Sequence, residues 1–517
     1  MLPRCLALLF AVLCLAETGW AQQARLFSLN DPIYTFIERL QRRGHLGTLN
    51  PTRLPYTYGA VAEAVARTDT NDLSPVAQRW LDAVARRLDA LEPEAPRWGG
   101  HLGGGVRGGQ TQRLDPVRPL GEATRAYHNA HTHLYISQGR WIAQTGLRHD
   151  RTYYGDPDGL RAAKRVLIRS EDTYVGYDGA FASVYLGRFD RHWSKLRDGA
   201  PLLSRNARSF DQLGLRIGGP RFALTSFIGE LDSITEDGRF TGRVGERFLN
   251  DASFRRYLVG HRLDIRLSAS WSVALLESVL YSGPNSGLSL KYLNPLHPAL
   301  FVVDNTPKND ENNGMVGALV QGTLSGWQLY GQLLMDDFDV VNGVEDASFA
   351  VVGSAERGGL LPTLDTGVRF EMAARRTYNA AQPEGKYLYL QRSLGLFSHN
   401  YALGTLYAEF YADALLPGLT VAPQVQYFVS GVADLLEAFP PVGDPAFATL
   451  ADPLERTTRW AVEVDYRPHP QAWIRLNLGA NHVTGTPQEE RALGWRFLGL
   501  LDAGIWLTLD RPLRLQL

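Results

Sequence analysis

Apolar and polar residues alternate along much of this chain, most clearly from Arg459 to Asn481. There Trp460, Val462, Val464 and Tyr466 alternate with Arg459, Glu463, Asp465 and Arg467. Pro468-His469-Pro470 then turns the chain, and Ala472, Ile474, Leu476, Leu478 and Ala480 alternate with Arg475, Asn477 and Asn481. Successive side chains of a strand point to opposite faces, so the pattern predicts a hairpin with one apolar and one charge-bearing face. A soluble sandwich would pack the apolar face on a second sheet. A membrane barrel would turn it to lipid and line its lumen with the polar face. The hairpin alone fits both.

The same alternation recurs from Trp98 to the C-terminus, with no long helical pattern between. Tyr127, Asn129, His131, His133 and Tyr135 oppose Ala130, Leu134 and Ile136. Leu263, Ile265 and Leu267 oppose Arg262, Asp264 and Arg266, and Val368, Phe370 and Met372 oppose Asp365, Arg369 and Glu371. Leu513, Leu515 and Leu517 against Arg514 and Gln516 read as a closing strand. Three features favour lipid. The polar faces carry opposite charges such as Arg459 with Glu463 and Arg262 with Asp264, the segments reach the roughly nine to eleven residues of a tilted membrane strand, and Trp193, Trp271, Trp460 and Tyr466 fall near strand ends as girdle residues do. The expected fold is mainly β, a transmembrane antiparallel β-barrel of about 16–18 strands over residues 97–517.

Upstream the period changes to that of helices. Asp31 and Pro32 open a first helix with Ile33, Phe36, Ile37 and Leu40 as its stripe, ended by Gly44. A second covers Tyr58 to Arg67. A third starts at Ser74-Pro75 and repeats Val76, Trp80, Leu81, Val84, Leu88 and Leu91. Residues 22–96 therefore read as a small helical bundle on the periplasmic side, docked on something larger and closed off by Pro93 and Pro96.

Composition adjusts this picture in two places. Arg4, the apolar run Leu6 to Leu15 and Gly19-Trp20-Ala21 read as a signal peptide over residues 1–21. Both cysteines, Cys5 and Cys14, lie within it, so the exported chain has no disulfide framework. With 53 basic and 54 acidic residues and a formal charge of −1, nothing marks a nucleic-acid partner. A mean hydropathy of −0.19 suits a barrel, half of whose strand residues are lumenal.

Four stretches resemble one family. They are Asn30-Asp31-Pro32-Ile33-Tyr34 with Leu54-Pro55-Tyr56; Gly187-Arg188-Phe189-Asp190-Arg191-His192-Trp193 through Leu202 to Arg208; Tyr292-Leu293-Asn294-Pro295-Leu296-His297-Pro298 with Asp304-Asn305 and Asn309 to Asn313; and Gly331 to Asp337. In this order the chain resembles the capsule-assembly Wzi family, outer-membrane barrels preceded by a small helical bundle. It departs from the family in following Trp193 with Ser194 to Gly199 rather than a Gly-Pro-Gly turn, and it ends in Leu517 where barrels commonly end in an aromatic residue. The resemblance implies a non-enzymatic outer-membrane protein that binds and organises capsular or exopolysaccharide at the cell surface. Asp190, His192, Trp193, Asn206, Asn294, His297 and Asn305, from the second and third stretches, are its candidate binding residues. Expected partners are surface polysaccharide, outer-membrane lipid and the barrel-assembly machinery, with the chain a monomer.

Other chemistry is sparse. His131-x-His133 could begin a metal pair but lacks an evident third ligand, so solvated lumenal residues are the expectation. Asp336 and Asp337 face opposite sides of a strand and cannot act as one acid/base pair. Glu409 and Asp413 share a face with Tyr407 and Tyr411, either as a sugar-binding wall or as lumenal charge pairing. The two prolines of Asn294 to Pro298 forbid ladder pairing, and this segment is expected to fold inward as a plug or to stand out as a binding loop. No nucleophile elbow, phosphate loop or zinc-helix motif is present. No catalytic residue, metal or cofactor is expected. A porin-like channel for small solutes is the alternative function, and a hydrolase would need a Ser/His or acid/base set that the sequence does not assemble.

Overall fold

The computed structural model describes residues 23–512 apart from 89–95, 154–155, 160–167, 236–252, 284–285, 295, 300–310, 338–347, 381–382, 433–434, 436–449, 451 and 488–492. The expected signal peptide and the residues Leu513, Leu515 and Leu517 lie outside the described residues.

Helices α1 (Ile33–Arg42), α2 (Tyr58–Ala66) and α3 (Pro75–Leu88) come first. Their starts satisfy the unpaired amides of a first turn. Asp31 Oδ1 accepts from Ile33 N–H at 3.0 Å, Thr57 Oγ1 from Ala60 N–H at 3.1 Å and Ser74 Oγ from Ala77 N–H at 3.3 Å. Gly44, at φ 86°, lets the chain turn sharply out of α1. The stripes Ile33, Ile37, Leu40, Val61, Trp80, Leu81 and Val84 then close on one another.

Eighteen barrel strands follow. They are β1 (Arg97–Gly109), β2 (Arg125–Gln138), β3 (Trp141–Asp150), β4 in two pieces (Ile168–Ser170 and Thr173–Asp178), β5 (Ala182–Arg188), β6 (Asp211–Gly218), β7 (Phe222–Glu230), β8 (Ser253–Arg266) and β9 (Trp271–Gly283). Then come β10 (Glu311–Leu324), β11 (Trp327–Asp337), β12 (Ser348–Leu361), β13 (Leu364–Ala373), β14 (Tyr401–Tyr411), β15 (Leu419–Ser430), β16 (Glu455–His469), β17 (Ala472–Gly485) and β18 (Gly494–Pro512). Every neighbouring pair is antiparallel. Arg97 of β1 stands opposite Ser137 of β2 on one side and Pro512 of β18 on the other, so the sheet closes on itself. Connections at one end are tight, such as 139–140, 325–326 and 470–471; those at the other are long.

The faces fall as the alternation predicts. Trp460, Val462, Ile474 and Leu478 are exposed on the outer wall, while Arg459, Asp465 and Asn481 are buried in the lumen. Leu134, Ile136, Val368, Phe370, Phe497, Leu507 and Leu509 extend the exposed apolar wall around the barrel. So much exposed apolar surface needs lipid around it. Trp460 stacks on Trp495 on this surface, with ring centroids 5.4 Å apart. Trp193 does not belong to a girdle: it is fully buried inside the barrel, edge-on to Phe227.

Inside, the lumen is filled. Segment 189–210 and the described residues of 374–400 fold in from the long-loop end, and Trp193, Leu202, Leu203, Tyr378, Leu394 and Leu396 pack against Leu258, Leu276, Met315 and Leu334 of the wall. Tyr378 Oη donates to Pro201 O at 2.6 Å and Tyr387 Oη to Leu202 O at 2.9 Å, tying the two segments together. The expected plug, Asn294 to Pro298, is not part of this core. Its described residues Asn294, Leu296, His297 and Pro298 are exposed, and the segment lies against the outer wall. There Tyr292 stacks on the outward Tyr281 at 4.6 Å and Ala299 N–H donates to Glu277 at 2.8 Å. The physical reason is that Tyr292 and Ala299 find an apolar patch of Tyr257, Val259 and Val279 outside, while the lumen already holds two better-anchored segments.

Candidate functional site

Two arrangements inside the barrel bear on function: the junction that holds the helices, and a cavity beside it. At the junction Arg39 and Arg42 of α1 and Arg43, which caps its C-terminus, present basic side chains to the inward face of β13 and β14. Arg39 Nη2 lies 2.6 Å from Glu409, Arg42 pairs with the same carboxylate, and Arg43 Nη2 lies 2.9 Å from Asp365. Tyr411 Oη donates to Asp365 at 2.6 Å, and Trp80 of α3 packs edge-on to that tyrosine at 4.6 Å. Burial alone would lower the Arg39 guanidinium, but Glu409, Tyr411 and Asp465 outweigh it and hold its pKa above the ordinary value. Arg79 pairs with Asp413. Glu409 and Asp413 are thus engaged in charge pairing with arginines of the helical segment rather than forming an open sugar surface, while Tyr407 bonds Glu356 and Arg369 of the wall itself.

The histidines are absorbed likewise. His133 lies 3.4 Å from Asp172, His131 packs on Trp506 at 4.2 Å, and His101 shares the layer. Gly103 of β1 makes the room: a Cβ there would overlap the His131 ring. Asp336 points inward and accepts from Tyr378 N–H at 2.5 Å, anchoring the second in-folded segment.

The seven candidate binding residues do not form one site. Asp190, His192, Trp193 and Asn206 lie on the first in-folded segment, where the contacts of His192, Trp193 and Asn206 are structural. His192 is buried with Nε2 2.7 Å from Leu196 O. Asn206 donates to Ser393 O at 2.9 Å and accepts from Arg392 at 2.9 Å. Asn294 and His297 are exposed on the strap outside the barrel, where Asn294 Oδ1 accepts from Leu296 N–H. Asn305 lies outside the described residues.

Beside the junction lies a cavity that no sequence pattern marks. It occupies about 1060 Å³ between the loop after α1 and the inward face of the wall, lined by Arg53, Tyr56, Arg191, Lys195, Arg216 and Asp264 among others. Asp264 receives Arg262 at 2.6 Å and Arg53 at 3.5 Å, one carboxylate for two guanidiniums. Burial holds the Arg53 guanidinium down at about 10, with Arg216 and Arg262 adding to the effect and Asp264 opposing it. Lys195 lies 3.0 Å from Glu356. The signal available in the sequence was arginine on the polar side of strand patterns, but nothing there says which of them converge.

A closed antiparallel barrel with an apolar outer wall, a polar and occupied lumen and short turns at one end is an outer-membrane β-barrel. No family model and no curated protein matches the sequence. Solved structures do. The chain is similar to Wzi of Escherichia coli, an outer-membrane protein involved in group 1 capsule assembly and a carbohydrate-binding β-barrel. The likeness covers 95% of this chain and 100% of that one at 13% identity, with a TM-score of 0.61. Weaker likenesses join it to OprD of Pseudomonas aeruginosa (9% identity, 80% and 95% covered, TM-score 0.44) and to OccAB1 of Acinetobacter baumannii (8%, 80% and 96%, TM-score 0.45). At such identities the likeness to Wzi establishes a shared fold.

Proposed function

We propose that this chain binds surface polysaccharide at the outer membrane and organises it there, without catalysis, with the helical bundle at the periplasmic end. The observation that carries the proposal is the filled lumen. Segment 189–210 and the described residues of 374–400 pack there as a hydrophobic core, with residues such as Trp193, Leu202, Leu394 and Leu396 almost wholly buried. A core of that kind supports a binding scaffold better than a solute channel, because conduction needs a wet path. The shared fold with a carbohydrate-binding barrel of capsule assembly points the same way. The short turns lie at the end the helices cap, and in outer-membrane barrels such turns face the periplasm. The test is binding of the detergent-purified chain to its host's own surface polysaccharide, alongside surface retention of that polysaccharide in a deletion strain. Binding with loss of retention supports the reading; no binding with normal retention overturns it.

A further inference from the structure

We infer that the cavity between the loop after α1 and the barrel wall is a subsite for an anionic, carboxylate-bearing glycan, a reading that rests on the polysaccharide function proposed above. Seven Lys/Arg residues line it against three Asp/Glu. Part of that excess is already committed: Arg67 pairs with Glu63, Lys195 with Glu356 and Arg53 with Asp264. Arg191 and Arg216 have no such partner, since no carboxylate among the described residues lies within ion-pair distance of either. Arg191 reaches only a neutral acceptor, Gln212 Oε1, with its guanidinium 4.8 Å from the Phe189 ring centre and 5.4 Å from that of Phe227. Arg216 keeps a buried Nε without any hydrogen-bond acceptor.

Placing two guanidiniums in a partly closed cavity without an ion-paired carboxylate costs folding free energy, since Asp178 and Asp264 act on Arg216 only from beyond ion-pair distance and do not replace the hydration it loses. The local sequence is arranged to keep them there. On β6 the lumenal positions are Gln212, Gly214 and Arg216, and a Cβ at Gly214 would overlap Arg191 Nη2. The glycine therefore leaves a seat for the Arg191 guanidinium. Residues two apart on one strand face stand about 6–7 Å apart, so Arg191 over Gly214 and Arg216 beside it present two forks along one line. A guanidinium fork matches a carboxylate bidentately, and a row of forks matches acid groups repeated along a chain better than one small anion. The volume, at the upper end of the range for ligand sites, admits several sugar residues rather than one.

The experiment uses the full chain in detergent, with heat-modifiable migration as the check of folding. Probes are oligogalacturonate, an uncharged galactan oligomer of the same length, inorganic phosphate, and the host's own polysaccharide. Oligogalacturonate is expected to bind while the uncharged oligomer does not. Arg191→Gln should weaken binding about tenfold and the double variant with Arg216→Gln about a hundredfold, since each charged hydrogen-bond set contributes about that factor. Gly214→Ala, which keeps both arginines, should also weaken it by displacing Arg191. Equal binding by wild type and a folded double variant overturns the subsite, as does phosphate competing as well as the oligomer on a molar basis. If host polysaccharide binds undiminished to the double variant, the subsite falls and the general function stands. If oligogalacturonate binds through these arginines but host polysaccharide does not, the subsite stands and the general function falls.

Discussion

Val464→Arg tests the assignment of faces. Val464 lies on β16 with Val421 of β15 and Leu476 of β17 as its direct cross-strand neighbours, all on the outer wall. It precedes Pro470 at the tight turn by six residues (470 − 464). At about 3.3 Å per residue and a tilt near 45°, that is about 14 Å along the barrel axis, close to the middle of an apolar band about 25 Å tall. An arginine at that depth costs about 2–4 kcal/mol, or about 30- to 900-fold in the folding equilibrium. Reversible denaturant unfolding in lipid vesicles, followed by tryptophan fluorescence, measures it. The inward control is Gln424→Arg, opposite Tyr407 and Ala461, which should cost less than about 1 kcal/mol. Asn477 is unsuitable as that control because Arg459 Nη2 donates to it at 2.6 Å, and a second guanidinium there would repel the first. If Val464→Arg costs less than Gln424→Arg, the barrel has been read inside out.

Three further outcomes are expected. Glu409→Gln leaves Arg39 and Arg42 without their shared carboxylate and should cost about 3–5 kcal/mol, seen as faster proteolysis of the helical segment; an unchanged cleavage rate refutes the junction's role. Trp193→Ala removes the largest fully buried side chain of the lumenal core among the described residues and should lower stability by about 3–5 kcal/mol, read from vesicle unfolding; a loss below about 1 kcal/mol would show that the site collapses freely. Replacing 376–398 with a short Gly/Ser linker should convert a silent barrel into a conducting one in planar bilayers. A large stable conductance in the intact chain would instead favour a channel.

The barrel was legible because its two solvents write opposite residues at alternate positions. Arg459 and Val462 needed no partner to declare their sides. Capping residues announced α1 and α3 for the same reason: Asp31 and Ser74 act on amides two or three residues away. What fills the lumen was not legible. Leu202, Leu394 and Leu396 sit in irregular backbone without a period, and what pins them is distant, as when Tyr378 reaches Pro201 O. The prolines of Asn294 to Pro298 mark a loop that fits an inward plug or an exposed strap, and a loop's destination is set by what apolar surface is free. For Tyr292 that surface was the outside of β8 and β9. Position alone makes Trp193 a girdle residue, but a tryptophan at a strand end fits lipid or core equally well. Glu409 shows the same limit in electrostatics: its partners Arg39 and Arg42 lie some 370 residues away.

The two ends of the barrel are joined through its interior. The helical segment enters at the tight-turn end, segment 189–210 at the other, and they meet where Leu54 and His192 exchange backbone hydrogen bonds of 2.9 and 3.1 Å. Arg205 donates to Leu29 O at 3.1 Å alongside. The joint is made of backbone groups beside the buried His192, so breaking it would leave poorly hydrated donors and acceptors unmet at about 1–3 kcal/mol each. It therefore fixes where the loop-end segments sit relative to the helices. The cavity lies beside this joint, with Arg53 from the helical side and Arg191 from the in-folded side on its walls. Its cations come from pieces of chain that neither the barrel nor the helices alone would bring together, which is why the filled lumen and the charged cavity are one structural fact.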